Sequence, residues 1–285
     1  MIYKKLKKVS TLPDHSALDV PIDTTKIEKI YGFYHVFCAN DWKRLVCEQI
    51  AGLKKNGLYD LLNKIYVCVI TTNSDDVHFL TEHFPEKFEI VIQSNNPKDY
   101  EYPILRYLHE KSRCENFLCF YFHTKGVRFS EKMKKEKRGQ ESWRLLMEYF
   151  IFEKYNLAIN ALQRGYSCYG AIPHTMKGYT FFAGNFWWTT SKYVTTLPEP
   201  SSHHTLYDQV EIGVNDRMYA EHWIGHSSAC NPYNTYSSFV DYYYIPIPDV
   251  LYKSRNIKVS HLLPIIKFYF AHIMNCLFHR FKIGK

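Results

Sequence analysis

A chain of 285 residues, 46% hydrophobic and 17% aromatic, is long enough to bury a large core without disulfides or a structural metal, and too aromatic to be disordered. Its net charge of +8 favours anionic partners such as nucleotide phosphates or anionic lipid, and its length fits one large domain or two intimate halves. The eight cysteines include no Cys-x-x-Cys pair and mostly fall in apolar runs, which points to reduced, buried thiols and a cytoplasmic protein rather than a disulfide framework.

Residues 1–27 are polar and aperiodic and are expected to form an irregular arm. Lys4, Lys5, Lys7 and Lys8 stand there without a following apolar run, so no signal peptide is expected. Residues 28–256 read as a single domain. The run from Ile30 to Phe37 is rich in aromatic and β-branched residues and predicts a buried strand. Asn40 or Asp41 caps a helix running to Lys55, stopped by Asn56-Gly57. Ile65–Ile70 is nearly all apolar, as for a strand covered on both faces. A short helix opening at Ser74 or Asp75 follows, then a strand over Phe88–Ile92, a helix containing Ile104, Leu105, Tyr107 and Leu108, and a fourth strand over Phe117–Phe122. This alternation predicts an α/β fold with a mostly parallel sheet and crossover helices.

Beyond it, a basic loop (Lys132, Lys134, Lys135, Lys137, Arg138) leads to a long helix from Ser142 to about Gln163. Short strands are expected over 166–172 and 179–188, with a loop-rich remainder. Residues 257–285 are strongly apolar with basic punctuation (Lys267, Arg280, Lys282, Lys285) and too short to span a bilayer. They read either as an amphipathic helix on an anionic membrane surface or as an ordinary docked C-terminal helix.

Ligands of open parallel sheets bind at the carboxyl ends of the strands, which directs attention to His123-Thr124-Lys125-Gly126 after the fourth strand. Lys125 suits a phosphate, Thr124 is a small donor, and Gly126 lets the backbone approach a ligand. His123 suits phosphate donation or acid–base work. Asn185, Trp187 and Trp188 in Gly-Asn-Phe-Trp-Trp offer amide hydrogen bonds and stacking faces for a sugar or base, or else a core strand. In the segment 217–225, Glu221 lies among apolar and aromatic residues, as a general base does, or pairs with Arg217 four positions earlier. Arg144, near the start of the long helix, meets phosphate or pairs with Glu148. Asp75 and Asp76 contact a nucleoside or cap their helix. His203, His204 and Asp208 lack a clean metal-ligand spacing.

Together the HTKG turn, the Trp-Arg helix start, Gly-Asn-Phe-Trp-Trp and Arg-x-x-x-Glu-x-Trp-Ile-Gly, spread over residues 30–226, resemble bacterial and viral polysaccharide glycosyltransferases. The similarity is to rhamnan-synthesis and O-antigen galactofuranosyl or rhamnosyl transferases. It implies a GT-A-like nucleotide-sugar fold and transfer of a sugar from a nucleotide-sugar donor to a glycan or lipid-linked acceptor in surface polysaccharide synthesis. The thiols and the terminal segment together read as a cytoplasmic protein, either free or peripheral at the inner face of the membrane. His123, Thr124, Lys125, Gly126, Asp75, Asp76 and Arg144 would then bind donor, and Asn185, Trp187, Trp188, Arg217 and His222 sugar or acceptor. Glu221 would be the base. Enzymes of that fold usually hold Mg or Mn on an Asp-x-Asp motif after the fourth strand. Here His123-Thr124-Lys125 stands in its place, so direct neutralisation of the diphosphate by side chains is expected. A non-catalytic glycan- or nucleotide-binding module is the alternative. Nucleic acid is not an expected partner, because the basic residues form separate runs rather than an aromatic-interleaved face.

Overall fold

The computed structural model describes residues 9–130, 132–176, 178–201, 216–254 and 258–283, without the side chains of Asp216 and of residues from 277 onward. Eleven strands are formed by the described residues, in chain order: β1 Ser10–Thr11, β2 Ile30–Phe37, β3 Lys64–Ile70, β4 Phe88–Ser94, β5 Leu118–His123, β6 Cys168–Gly170, β7 Pro173–Met176, β8 Tyr179–Phe182, β9 Trp187–Thr190, β10 Pro232–Asn234 and β11 Ser237–Ser238. Seven make one sheet in the order β10-β6-β9-β5-β2-β3-β4. Strands β4, β3, β2 and β5 run parallel, whereas β9 is antiparallel to both β5 and β6. The architecture is a mixed α/β, Rossmann-type sheet flanked by helices, and the expected mostly parallel sheet holds for its first four strands.

Alternation along each strand divides the interior. Tyr34, Val36, Val67, Phe120, Phe122 and Trp188 face one core with the helices Trp42–Lys55 and Tyr155–Gln163. Phe33, Cys68, Cys119, Tyr121 and Trp187 face the other with the helix Tyr102–Ser112. Both faces are covered, which is why β2, β3 and β5 read as unbroken apolar runs.

The helix Ser74–His83 is capped by Asn73, whose side chain accepts from the Asp75 N–H, not by Ser74 or Asp75. Asp41 holds the N-cap position of Trp42–Lys55 without a side-chain cap bond, because its carboxylate pairs with Arg44 and with Lys137 at 2.9 Å. The expected basic loop is helical. The helix runs Lys134–Glu148, continues through a wider turn over Tyr149–Glu153, and is followed by Tyr155–Gln163. Its exposed first turns carry charge, which hid its start from hydrophobic periodicity.

The N-terminal arm is strapped to the domain over its described part. Strand β1 pairs with β11, His15 bonds the Tyr233 hydroxyl (2.8 Å) and the Thr235 carbonyl (2.9 Å), and Asn160 donates to the carbonyls of Leu18 and Val20. All eight cysteines are free, yet Cys47, Cys114 and Cys276 are exposed, against the expectation of buried thiols. At the C-terminus the helix Leu262–Ile283 forms. No helix among the described residues is long and apolar enough to cross a membrane.

Candidate active site

Strand β2 leads through its helix to β3 on one side, while β4 leads back through the helix Tyr102–Ser112 to β5 on the other. This reversal opens a crevice beyond the carboxyl ends of β2 and β5. A cavity of about 450 Å³ occupies that position, within the range of small-molecule sites. His35 and Phe37 enter it from β2, the His123–Gly126 turn and Arg128 from β5, Glu101 from the head of the helix Tyr102–Ser112, Gln140 from Lys134–Glu148, and Arg217 from the helix Asp216–His222. The sequence-predicted HTKG turn and Arg217 are thus brought together.

Their roles differ from the expected ones. The Thr124 hydroxyl accepts from the Phe37 N–H at 2.9 Å and also bonds the Phe37 carbonyl, stitching β5 to β2 rather than offering a free donor. His123 is buried, and its Nε2–H donates to the Gly184 carbonyl at 3.0 Å. Burial and then the Lys125 charge push its pKa down to about 3. It is a neutral imidazole at neutral pH, so it adds no positive charge for a diphosphate. Its register partner His35 is likewise held neutral, near 4, chiefly by burial.

Lys125 is the main buried cation of the cavity. Its ammonium lies 3.6 Å from the centroid of the Trp143 ring, and it makes no ion pair among the described residues. Burial lowers its pKa to about 8, with Glu221 opposing and Arg217 adding to the shift. Gly126 has φ +92°, a left-handed turn that a side chain would strain. Two residues that line the cavity with Lys125 carry a buried nitrogen with no partner among the described residues, His35 Nδ1 and Gln140 Nε2, and Trp143, whose ring meets Lys125, has another at Nε1. Buried polar atoms are rarely left unmatched, so this cluster reads as a wall built for a bound ligand.

Glu221 lies one helical turn beyond Arg217, and no ion pair joins the two among the described residues. The Gly184 N–H donates to Glu221 Oε1. Gly184 needs to be glycine: at φ +90° a Cβ would stand 2.6 Å from Met147 Sδ and 2.9 Å from Trp143 Cζ2. One residue therefore holds His123 by its carbonyl and Glu221 by its amide. The half-buried Glu221 does not line the cavity. Its charge acts on Lys125 and also on His174 and Tyr242.

Other expected site residues are engaged elsewhere. Trp187 and Trp188 are fully buried on opposite faces of the sheet, and Trp188 Nε1 donates to the Ile151 carbonyl at 2.9 Å, so neither ring is a stacking platform. Asn185 is a structural hub, donating to Glu101 and accepting from Trp187 Nε1 at 2.6 Å. His222 is buried against Phe181 and bonds the Tyr179 hydroxyl at 3.0 Å. Asp75 is exposed, and Asp76 accepts from the Thr71 hydroxyl at 2.6 Å. Neither lines the cavity. The segment with His203, His204 and Asp208 lies outside the described residues.

Arg144 is buried in ion pairs with Glu148 (2.8 Å) and Glu48 (2.9 Å), away from the cavity. Its truncation tests that assignment. Arg144→Ala strands the buried Glu148 and is expected to cost about 3–5 kcal/mol in urea unfolding.

Sequence reasoning missed His35, Glu101 and Gln140. His35 had a signal, since it lies near the carboxyl end of β2, level with His123. Glu101, which accepts from the Tyr121 hydroxyl at 2.9 Å, looks in sequence like any carboxylate before a helix. The two neutral histidines also make stability pH-dependent. The unfolded chain takes up their protons near the ordinary value of 6.5 while the folded chain resists until about 4 and 3, so stability is expected to fall as pH drops through that window. Urea midpoints measured at pH values across it check this, and His35→Gln is expected to flatten the upper part of the slope.

The residues present do not suit a divalent metal. Lys125 is a cation, His123 Nε2 is committed to Gly184, and no group of three His, Cys, Asp or Glu side chains among the described residues is arranged to hold one.

No protein-family profile matches the chain, and no curated protein matches it. Among solved structures, the chain is similar to 4-diphosphocytidyl-2C-methyl-D-erythritolsynthase from Anaerococcus prevotii DSM 20548, at 10% identity and a TM-score of 0.35, over 85% of this chain and 97% of that one. A likeness this weak carries no argument about what the chain does.

Proposed function

We propose that the chain is a glycosyltransferase that moves a sugar from a nucleotide-sugar donor to a glycan or lipid-linked glycan acceptor in surface polysaccharide synthesis. The observation that carries this reading is the buried Lys125 ammonium, seated against the Trp143 ring, in a cavity at the strand-order reversal whose lining includes His35 and Gln140, each with an unmatched buried nitrogen. A buried cation beside unmatched buried nitrogens suits the diphosphate of such a donor, with Arg217 as second cation. Glu221 stands outside the cavity lining, close enough to Lys125, His174 and Tyr242 for its charge to act on all three. One oxygen is held by the Gly184 N–H and the other makes no hydrogen bond among the described residues. In the reaction Glu221 takes the proton of the acceptor hydroxyl, and the acceptor oxygen bonds to the anomeric carbon. The bond from that carbon to the diphosphate breaks, and Lys125 and Arg217 take up the charge of the departing nucleoside diphosphate.

The test is release of nucleoside diphosphate from a panel of nucleotide sugars in the presence of glycan or lipid-linked acceptors. Turnover with at least one donor is expected. Binding of donor without release under every acceptor would favour the non-catalytic module instead.

A further inference from the structure

The helix Leu262–Ile283 has two unlike apolar faces. Ile265, Phe268 and Tyr269 are buried against the domain, and Asn275 donates to Asp241 at 3.4 Å, so the helix is docked. Leu263 (60% exposed), Ile266 (61%), Phe270 (64%) and Ile273 (54%) follow the three- and four-residue spacing of one helix face and point outward. Leu262 and Val259 extend the same exposed apolar surface. Beside it runs an apolar groove of about 500 Å³ floored by Ile245, Pro246, Ile247 and Phe268, with Arg138 and Lys267 as its two charged residues.

The charge of this end is one-sided. From residue 250 to 285 the sequence holds Lys253, Arg255, Lys258, Lys267, Arg280, Lys282 and Lys285 and no Asp or Glu. The nearest carboxylates on the supporting segment are engaged: Asp241 by Asn275 and Asp249 by Lys253 at 3.8 Å. A docked helix that presents an apolar stripe among cations, without a carboxylate of its own, has the chemistry of an interfacial helix.

We infer that the outward face of this helix, with the adjoining groove, docks the protein on a bilayer surface containing anionic lipid. The stripe inserts at the depth of the headgroup–acyl boundary, and Lys267 and Arg138 meet lipid phosphates. The inference stands on the helix alone and does not depend on the proposed transfer reaction.

The full chain is mixed with vesicles of phosphatidylcholine, alone or with phosphatidylglycerol, and sedimented. Sedimentation with the anionic vesicles, weakened by added salt, is expected. The Ile266→Glu, Phe270→Glu double variant should partition less by on the order of tenfold or more, since two large apolar side chains no longer leave water. Both positions are exposed, so its unfolding midpoint and its affinity for nucleoside diphosphate are expected to stay unchanged. A chain that stays in the supernatant, or a double variant that sediments equally, overturns the inference. So does a chain that ignores vesicles but forms a dimer dissolved by the double variant, which would give the face to a second copy.

Discussion

Lys125→Met is expected to abolish useful binding of nucleoside diphosphate while leaving the protein as stable as before or more so. The loss should be about 2–3 kcal/mol, or roughly 30- to 150-fold in Kd, because a charge-assisted contact in a buried wall is removed. The stability half of the expectation follows from the sign of the pKa shift. Lys125 titrates near 8 in the folded chain, below its ordinary value of 10.5, because burial disfavours the ammonium. Keeping it charged costs stability at all pH values below about 8, and that cost is relieved as pH rises toward 10.5. Replacing a buried charge by an apolar side chain of similar length is often neutral or stabilising, and the Trp143 contact at 3.6 Å returns only part of the burial cost. Titration calorimetry and urea unfolding of the same preparation separate the two effects. A variant that loses both binding and stability would make Lys125 a structural residue.

Glu221→Gln is expected to lower turnover by about 10²- to 10⁴-fold, the size of effect associated with loss of a general base, measured at a pH low enough to keep Lys125 charged, because loss of the carboxylate also lets the Lys125 pKa fall further. Glutamine keeps a carbonyl oxygen for the Gly184 N–H, so the turn that holds His123 stays in place. Glu101 is the rival carboxylate, since it lines the cavity itself. Its Oε2 accepts from both Tyr121 and Asn185, and Glu101→Gln retains an acceptor there. Full turnover in Glu221→Gln together with collapse in Glu101→Gln would move the base to Glu101.

The parallel half of the fold was legible because local pattern and final environment agree. Ile65–Ile70 is apolar throughout, and its strand is covered on both sides. The HTKG turn was legible for a similar reason, being polar residues at the end of such a strand. What individual side chains do there depends on partners remote in sequence. That Thr124 serves as a stitch is visible only once β2 and β5 are in register, which brings Phe37 to its hydroxyl. Arg144 had a visible partner in Glu148, but Glu48 arrives from 96 residues away and completes its burial.

The tryptophans misled for a different reason. Adjacent aromatic residues after a turn look like a binding platform when read alone. Here β9 inserts antiparallel between β5 and β6, so both faces of the strand are interior and each ring meets a core. Asn185, expected to meet sugar, sits at φ +57° and joins Glu101 to Trp187. Part of the cavity wall is instead supplied by His35, near the end of its strand, and by Gln140, whose nitrogens become conspicuous only when burial leaves them unmatched.

The central claim is that the cavity at the ends of β2 and β5 binds a diphosphate through a buried, titratable lysine. Calorimetric titration with nucleoside diphosphates, run at about pH 7 and again at about pH 9.5, tests it most directly, since Lys125 loses its proton near 8 between those values. The expected result is saturable binding that weakens at the higher pH, takes up protons there, and is weakened by roughly 30- to 150-fold in Lys125→Met. Failure of every nucleoside diphosphate to bind, or binding indifferent both to pH and to Lys125→Met, would contradict the account.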